Sequence, residues 1–337
     1  MLKPLVYSLT LVILAAAFQF SPAQETREAS LTIIATVPEG TGDVYLPGNL
    51  DELGPWNPGG LKMEGTGTTR KATLRVPVGT TVEFKLTQGS WAKEELNPDF
   101  TVPENYSVTV TEDMEHEVEA VLFKSLDVEM PYPDPLRYED DIKAFEKMDR
   151  REMPAPGQLL AVGSSSIVYW HASIEEDLAP VPVVPRGFGG STMHDLIYFT
   201  DRVVFPYEPA ALLVYEGDND IAANVPVSKV LRKYDTFIDL VETRLPRAHI
   251  FMLPAKPSPS RIEYLPRMRE LNAEIRERCE ANPNLTYIDT ATPLLDETGS
   301  PDPKYFLDDM LHLNPEGYKV WAKVTRPIVV EWWEARK

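Results

Sequence analysis

The sequence predicts a chain in two parts of different class: a small all-β sandwich, then an α/β domain whose parallel sheet is flanked by helices. Three features predict it. Between Ser30 and about Lys124, short β-branched and aromatic runs are separated by Gly and Pro turns. After Pro156, short apolar runs alternate with amphipathic stretches of helical length. That is the pattern of βαβ units, whose right-handed crossovers cover both faces of a parallel sheet. Between the two lies Met130 to Leu136 with three prolines, a semi-rigid connector. The expected boundaries are 1–23, 29–123, 124–136 and 137–337.

The first segment reads as an export signal. Lys3 is its single charge, Pro4 to Phe20 is nearly all apolar, and Ser21-Pro22-Ala23 offers small residues for cleavage before Gln24. The apolar run is short for a membrane span of about 20 residues. No cysteine lies at the junction to carry a lipid. The mature chain is therefore expected to be secreted or periplasmic, without a membrane span. A formal net charge of -19 disfavours nucleic acid and anionic membrane surfaces as partners, since both require a basic footprint. The lone cysteine, Cys279, cannot form an internal disulfide. It falls with Leu265, Met268, Leu271 and Ile275 on the apolar face of a predicted helix.

In the first part, strands are expected at 31–37, 44–46, 72–76, 81–86 and 106–110. A charged helix is expected from Arg137 to Arg151. In the second part, Leu159 to Val162, Val181 to Val184, Ala211 to Tyr215, Ile250 to Leu253 and Thr286 to Ile288 are the candidate strands, with helices at Val227 to Leu245 and Arg261 to Glu280. Ligands of such sheets bind beyond the carboxyl ends of the strands, so the chemistry is sought in the residues that follow each one. The first strand runs into Gly163-Ser164-Ser165-Ser166, the second into Arg186-Gly187-Phe188-Gly189-Gly190-Ser191, and the third into Gly217-Asp218-Asn219-Asp220. Near the carboxyl end stand Asp309-Met310-Leu311-His312 and then Asn314-Pro315-Glu316, a cap and first helical turn. Taken singly, each is an ordinary turn.

Together, in this order, these blocks resemble the SGNH (GDSL-like) hydrolases over about the last two hundred residues. The resemblance implies a flavodoxin-like sheet and a serine esterase. It makes Ser165 the nucleophile, His312 its base and Asp309 the carboxylate that orients the base. Ser165, Gly190 and Asn219 become the oxyanion donors. One departure is Ser164, which stands where the familiar Gly-Asp-Ser has an acidic residue. Ser164 and Ser166 remain rival nucleophiles, and Asp308 a rival carboxylate. The chemistry calls for no cofactor or metal, and His116, His171, His194 and His249 show no metal-ligand spacing. His194, close in sequence to Gly190, is a further candidate for the pocket.

Val44-Tyr45-Leu46-Pro47-Gly48-Asn49 through Leu53-Gly54-Pro55-Trp56-Asn57-Pro58, with Val82-Glu83-Phe84-Lys85, resembles the starch-binding modules of carbohydrate-binding module family 20. That implies an immunoglobulin-like sandwich with Trp56, Lys85, Trp91 and Asn97 at one sugar site. Indoles can stack on pyranose rings while the polar pair bonds hydroxyls. The combined expectation is a secreted ester hydrolase that deacetylates an acylated polysaccharide. A lysophospholipase or thioesterase, and a non-catalytic secreted glycan-binding protein, are the alternatives.

Overall fold

The computed structural model describes residues 27–124 and 131–336. The expected export signal lies outside the described residues, as do residues 125–130 of the expected connector. The amino-terminal region is built of strands: β1 (Glu28–Thr36), β2 (Tyr45–Leu46), β3 (Leu61–Lys62), β4 (Thr69–Pro77), β5 (Thr81–Phe84), β6 (Glu95–Leu96), β7 (Tyr106–Thr109), β8 (Met114–Glu119) and β9 (Leu122–Phe123). β1 lies between β4, antiparallel, and β8, parallel. Its alternate residues Ala29, Leu31, Ile33 and Ala35 are buried against Val82 and Phe84 of the β5–β7 pair. The strict alternation along β1 and β4 is what a half-buried strand requires. β8 was not expected from the sequence. Its run Met-Glu-His-Glu-Val-Glu buries only Val118, so its apolar signal is too weak to read.

The rest of the chain is α/β. Helix α1 (Glu139–Asp149) leads into β10 (Leu159–Gly163), α2 (Ser165–Trp170), α3 (Ile174–Asp177), β11 (Val183–Gly187), α4 (Met193–Val203) and β12 (Ala211–Tyr215). There follow α5 (Asp218–Ala222), α6 (Val227–Arg244), β13 (His249–Leu253), α7 (Leu265–Ala281), β14 (Leu285–Tyr287) and α8 (Pro315–Ala335). The five strands form one parallel sheet in the order β11-β10-β12-β13-β14. Each strand sends alternate residues to opposite cores. Leu160, Val162, Leu212, Val214, Ile250 and Met252 pack with α4, α6 and α7. Leu159, Ala161, Leu213, Tyr215, Phe251 and Leu253 pack with α2, α3 and α8. Full burial of one such large side chain stabilises by roughly 1.5–3 kcal/mol. That explains why these strands read as continuous apolar runs.

The chain leaves β10 toward β11 on one side and returns to β12 on the other. This reversal opens a crevice at the carboxyl end of β10, the usual ligand position in an open α/β sheet. The two regions also touch. A turn at Trp91–Lys93 meets another at Pro259–Tyr264. There the Ser90 hydroxyl bonds Glu263, and Ala92 is buried in the α4–α6–α7 core.

Candidate active site

Gly163 ends β10 at φ 141°, and a β-carbon there would come 2.0 Å from the Tyr215 carbonyl oxygen on β12. Only glycine permits this close turn. It leads to Ser164 as the flanking residue and Ser165 as the first residue of α2, where a backbone N–H has no acceptor within the helix. Ser165 lies at the crevice, and the other two serines of the run point elsewhere. Ser164 and Ser166 are buried, with hydroxyl oxygens that find no partner among the described residues.

His312 is brought to Ser165 from the far end of the chain. Its Nε2 is 3.0 Å from Ser165 Oγ, and its Nδ1 is 2.5 Å from Asp309 Oδ2. The loop that carries the pair is fixed locally. Asp309 Oδ1 accepts the Leu311 and His312 amides, each at 2.9 Å. Immediately after it, Asn314 caps α8 by accepting from the Glu316 and Gly317 amides, with Pro315 at the first turn. Burial alone would raise the Asp309 carboxyl, but the bonds from the His312 ring and the two amides hold it at about 2. It is therefore a carboxylate at any working pH. The rival Asp308 does not hold the imidazole and faces a neighbouring cleft.

The remaining expected residues sit around the same serine. A β-carbon at Gly189 would lie 3.9 Å from the Ser165 β-carbon, and Gly190 adopts φ 80°. The glycine loop thus passes directly over the serine. Asn219 is on the first turn of α5, after Gly217 at φ 100°. Its Nδ2 donates to the Ser191 carbonyl at 2.8 Å, and its Oδ1 accepts from Arg261 Nη2 at 2.8 Å. These two bonds fix which end of the amide carries hydrogens, and one Nδ2 hydrogen stays free of them.

Behind Asn219 lies a buried layer of charge. Asp218 Oδ2 is 3.1 Å from both Lys256 Nζ and Arg261 Nη1. Burial pushes the Asp218 carboxyl up, yet the two cations prevail and hold it at about 2. Burial lowers the fully enclosed Lys256 ammonium. Glu216, also enclosed, is pushed well above the carboxylate range by burial and by Asp220, and accepts the Ser191 hydroxyl at 2.6 Å.

Two members of the site were not found in the sequence. Tyr169 stacks on the His312 ring with centroids 4.5 Å apart at 19°. It stands four residues after Ser165 on α2, hence on the same helix face, and that spacing was the available signal. Arg261 belongs to the flanking run Lys256 to Arg261 that supports the resemblance, but its bond to Asn219 joins segments 42 residues apart. His194 is not brought to the serine. It packs on Tyr132 at 4.8 Å and lies 3.3 Å from Lys233 Nζ. Of the four expected sugar residues, Trp56, Lys85 and Trp91 line one cleft. Asn97 does not join them. Its amide donates to Thr101 Oγ1 at 2.9 Å within its own turn. Cys279 is buried on α7, and burial pushes its thiol up to about 12, which leaves it inert. Among the described residues no helix is long and apolar enough to cross a membrane.

A serine-bearing turn at the switch point of a parallel sheet, met by a His–Asp loop, is an arrangement able to support acyl transfer. Residues 160–320 match the model of the GDSL-like Lipase/Acylhydrolase family. This region is a GDSL-like acylhydrolase domain, and the protein is a carboxylic-ester hydrolase. Among solved structures, it is similar to a Streptococcus pneumonia protein provisionally described as a platelet activating factor. The TM-score is 0.51 at 22% identity, covering 57% of this chain and 93% of that one. It is also similar to a GDSL-like lipase of Bacteroides thetaiotaomicron, with a TM-score of 0.49 at 18% identity over 59% of this chain and 98% of that one. No curated protein matches the chain.

Proposed function

We propose that the protein is an exported serine esterase that works through an acyl-enzyme and removes acetyl groups from an acylated polysaccharide. The observation that carries the serine mechanism is the unbroken hydrogen-bond chain Ser165 Oγ, His312 Nε2, His312 Nδ1, Asp309 Oδ2. Ser165 attacks the ester carbonyl carbon while His312 takes its proton, because a neutral hydroxyl is a weak nucleophile. Asp309, ionised throughout, holds the imidazole in the tautomer that presents a bare Nε2 and stabilises the imidazolium. The tetrahedral oxyanion is received by the amides of Ser165 and Gly190 and the free Nδ2 hydrogen of Asn219. Collapse expels the alcohol, which leaves with the proton from His312. Water then repeats the sequence on the acyl-serine and releases the acid.

The polysaccharide part of the reading rests on Trp56, Lys85 and Trp91 gathered in one cleft, and export rests on the apolar segment that ends at Ala23. The test is hydrolysis of p-nitrophenyl acetate by the mature protein beside a folded Ser165→Ala variant. Loss of about a thousandfold or more in kcat is expected. Equal turnover by both proteins would remove Ser165 from the chemistry.

A further inference from the structure

The residues expected to hold sugar do not face away from the hydrolase. Trp56, Lys85 and Trp91 form one wall of a cleft of about 410 Å³, and Arg261, Tyr264 and Asp308 stand on the other. We propose that this cleft, built jointly by the β region and the α/β region, binds the saccharide part of the ester. The β region then serves as a wall of the active site and not as a remote anchor. The proposal rests on the reading of Ser165 as an esterase nucleophile.

Three observations carry it. The cleft adjoins the chemistry from two directions. Asp309, which also lines it, is two hydrogen bonds from Ser165 Oγ, and Arg261 holds the Asn219 amide. An occupant would therefore touch both the loop that carries the base and the residue that orients an oxyanion donor. Second, the walls combine two indoles with charged side chains from both regions: Lys85, Glu94, Lys124, Arg261 and Asp308. A sugar ring offers apolar C–H faces to the indoles and hydroxyls at its edge to the charges. A fatty acyl chain would also cover the indoles, but it would strip water from those charges without offering them a hydrogen bond. Third, the walls are held together. Ser90, beside Trp91, bonds Glu263, beside Tyr264's turn, and Ala92 is buried in the hydrolase core. The volume lies within the roughly 300–1,000 Å³ of small-molecule sites.

The test compares the mature protein with Trp91→Ala and, from the opposite wall, Asp308→Asn. The substrates are p-nitrophenyl acetate, p-nitrophenyl octanoate, acetylated glycerol and mono-O-acetylated gluco- and xylo-trisaccharides. Each variant is expected to lower kcat/KM on at least one acetylated trisaccharide at least tenfold more than on p-nitrophenyl acetate, chiefly through KM. An equal loss on every substrate marks a packing role and overturns the proposal. So does a selective loss on the octanoate, which assigns the cleft to an acyl chain, and so does a parent enzyme that treats trisaccharide acetates no better than acetylated glycerol. The serine reading is separated by calorimetric titration of the Ser165→Ala protein with maltotriose and xylotriose. Binding of either sugar that disappears when Trp91→Ala is added supports the cleft whatever the nucleophile, and no binding of either counts against it.

Discussion

Asn219 is gripped at both ends of its amide, by the Ser191 carbonyl and the Arg261 guanidinium. A donor aimed before charge develops needs no reorganisation during the reaction, which is where such groups gain their effect. Asn219→Ala is accordingly expected to lower kcat on p-nitrophenyl acetate by about a hundredfold or more, roughly 3 kcal/mol. Arg261 acts through Asn219 and is a positioning residue. Arg261→Met should lower kcat by about tenfold, and the double variant should be little worse than Asn219→Ala alone, since one interaction cannot be lost twice. Full additivity in that cycle would show that the contact does not position the donor. At this scale the sequence was legible where the candidate residues lie in short blocks: the structure gathers Ser165, Gly190, Asn219, Asp309 and His312 around one crevice. Contacts between distant segments were not legible. The Arg261–Asn219 bond has no local pattern, and Asn97 was assigned by resemblance although its own turn claims its side chain.

Among the elements, α5 carries a titratable group that should show itself in stability. Asp220 is fully enclosed, and burial pushes its carboxyl up to about 7, against the pull of hydrogen bonds from Tyr132 and the Met193 amide. In the unfolded chain the same group titrates near 4. The folded chain thus holds this proton longer, and between about pH 4 and pH 7 the contribution of Asp220 to stability declines as pH rises. Asp220→Asn lacks that decline. Its melting temperature relative to the parent should therefore climb by about 2 °C or more between pH 5 and pH 8, whatever the offset at pH 5. A difference that stays constant or falls with pH would show that Asp220 is ionised in the folded state. Element identity was readable where periodicity was strong. The five strands of the parallel sheet are seen within a few residues of their expected positions, because burial on both faces keeps most strand positions apolar, with Arg186 in β11 and Thr286 in β14 among the exceptions. Boundaries were weaker. The helix expected from Arg261 begins at Leu265, since 259–264 forms a tighter turn that docks on the β region.

For the molecule as a whole, the sequence suggested two units on a connector, and that division hides how firmly they meet. Trp91–Lys93 is a short turn whose middle residue, Ala92, is 1% exposed and packed among residues of the α4–α6–α7 core. Nothing in the run Gly-Ser-Trp-Ala-Lys marks it as an interface, because a single alanine has no periodicity and its partners lie far along the chain. Its burial nonetheless means that the hydrolase core is completed by the β region. Cooperative unfolding should follow, since opening one region exposes apolar surface of the other. A single calorimetric transition is expected for the parent. Ala92→Asp places an unpaired carboxylate at that point, at a cost of about 3 kcal/mol or more to the docked state. The regions can escape this penalty by parting. The variant should thus unfold in two transitions, and its selectivity for acetylated trisaccharides over p-nitrophenyl acetate should fall with the loss of the Trp91 wall. Two transitions already present in the parent, or one unaltered transition in the variant, would show that the regions fold without regard to each other.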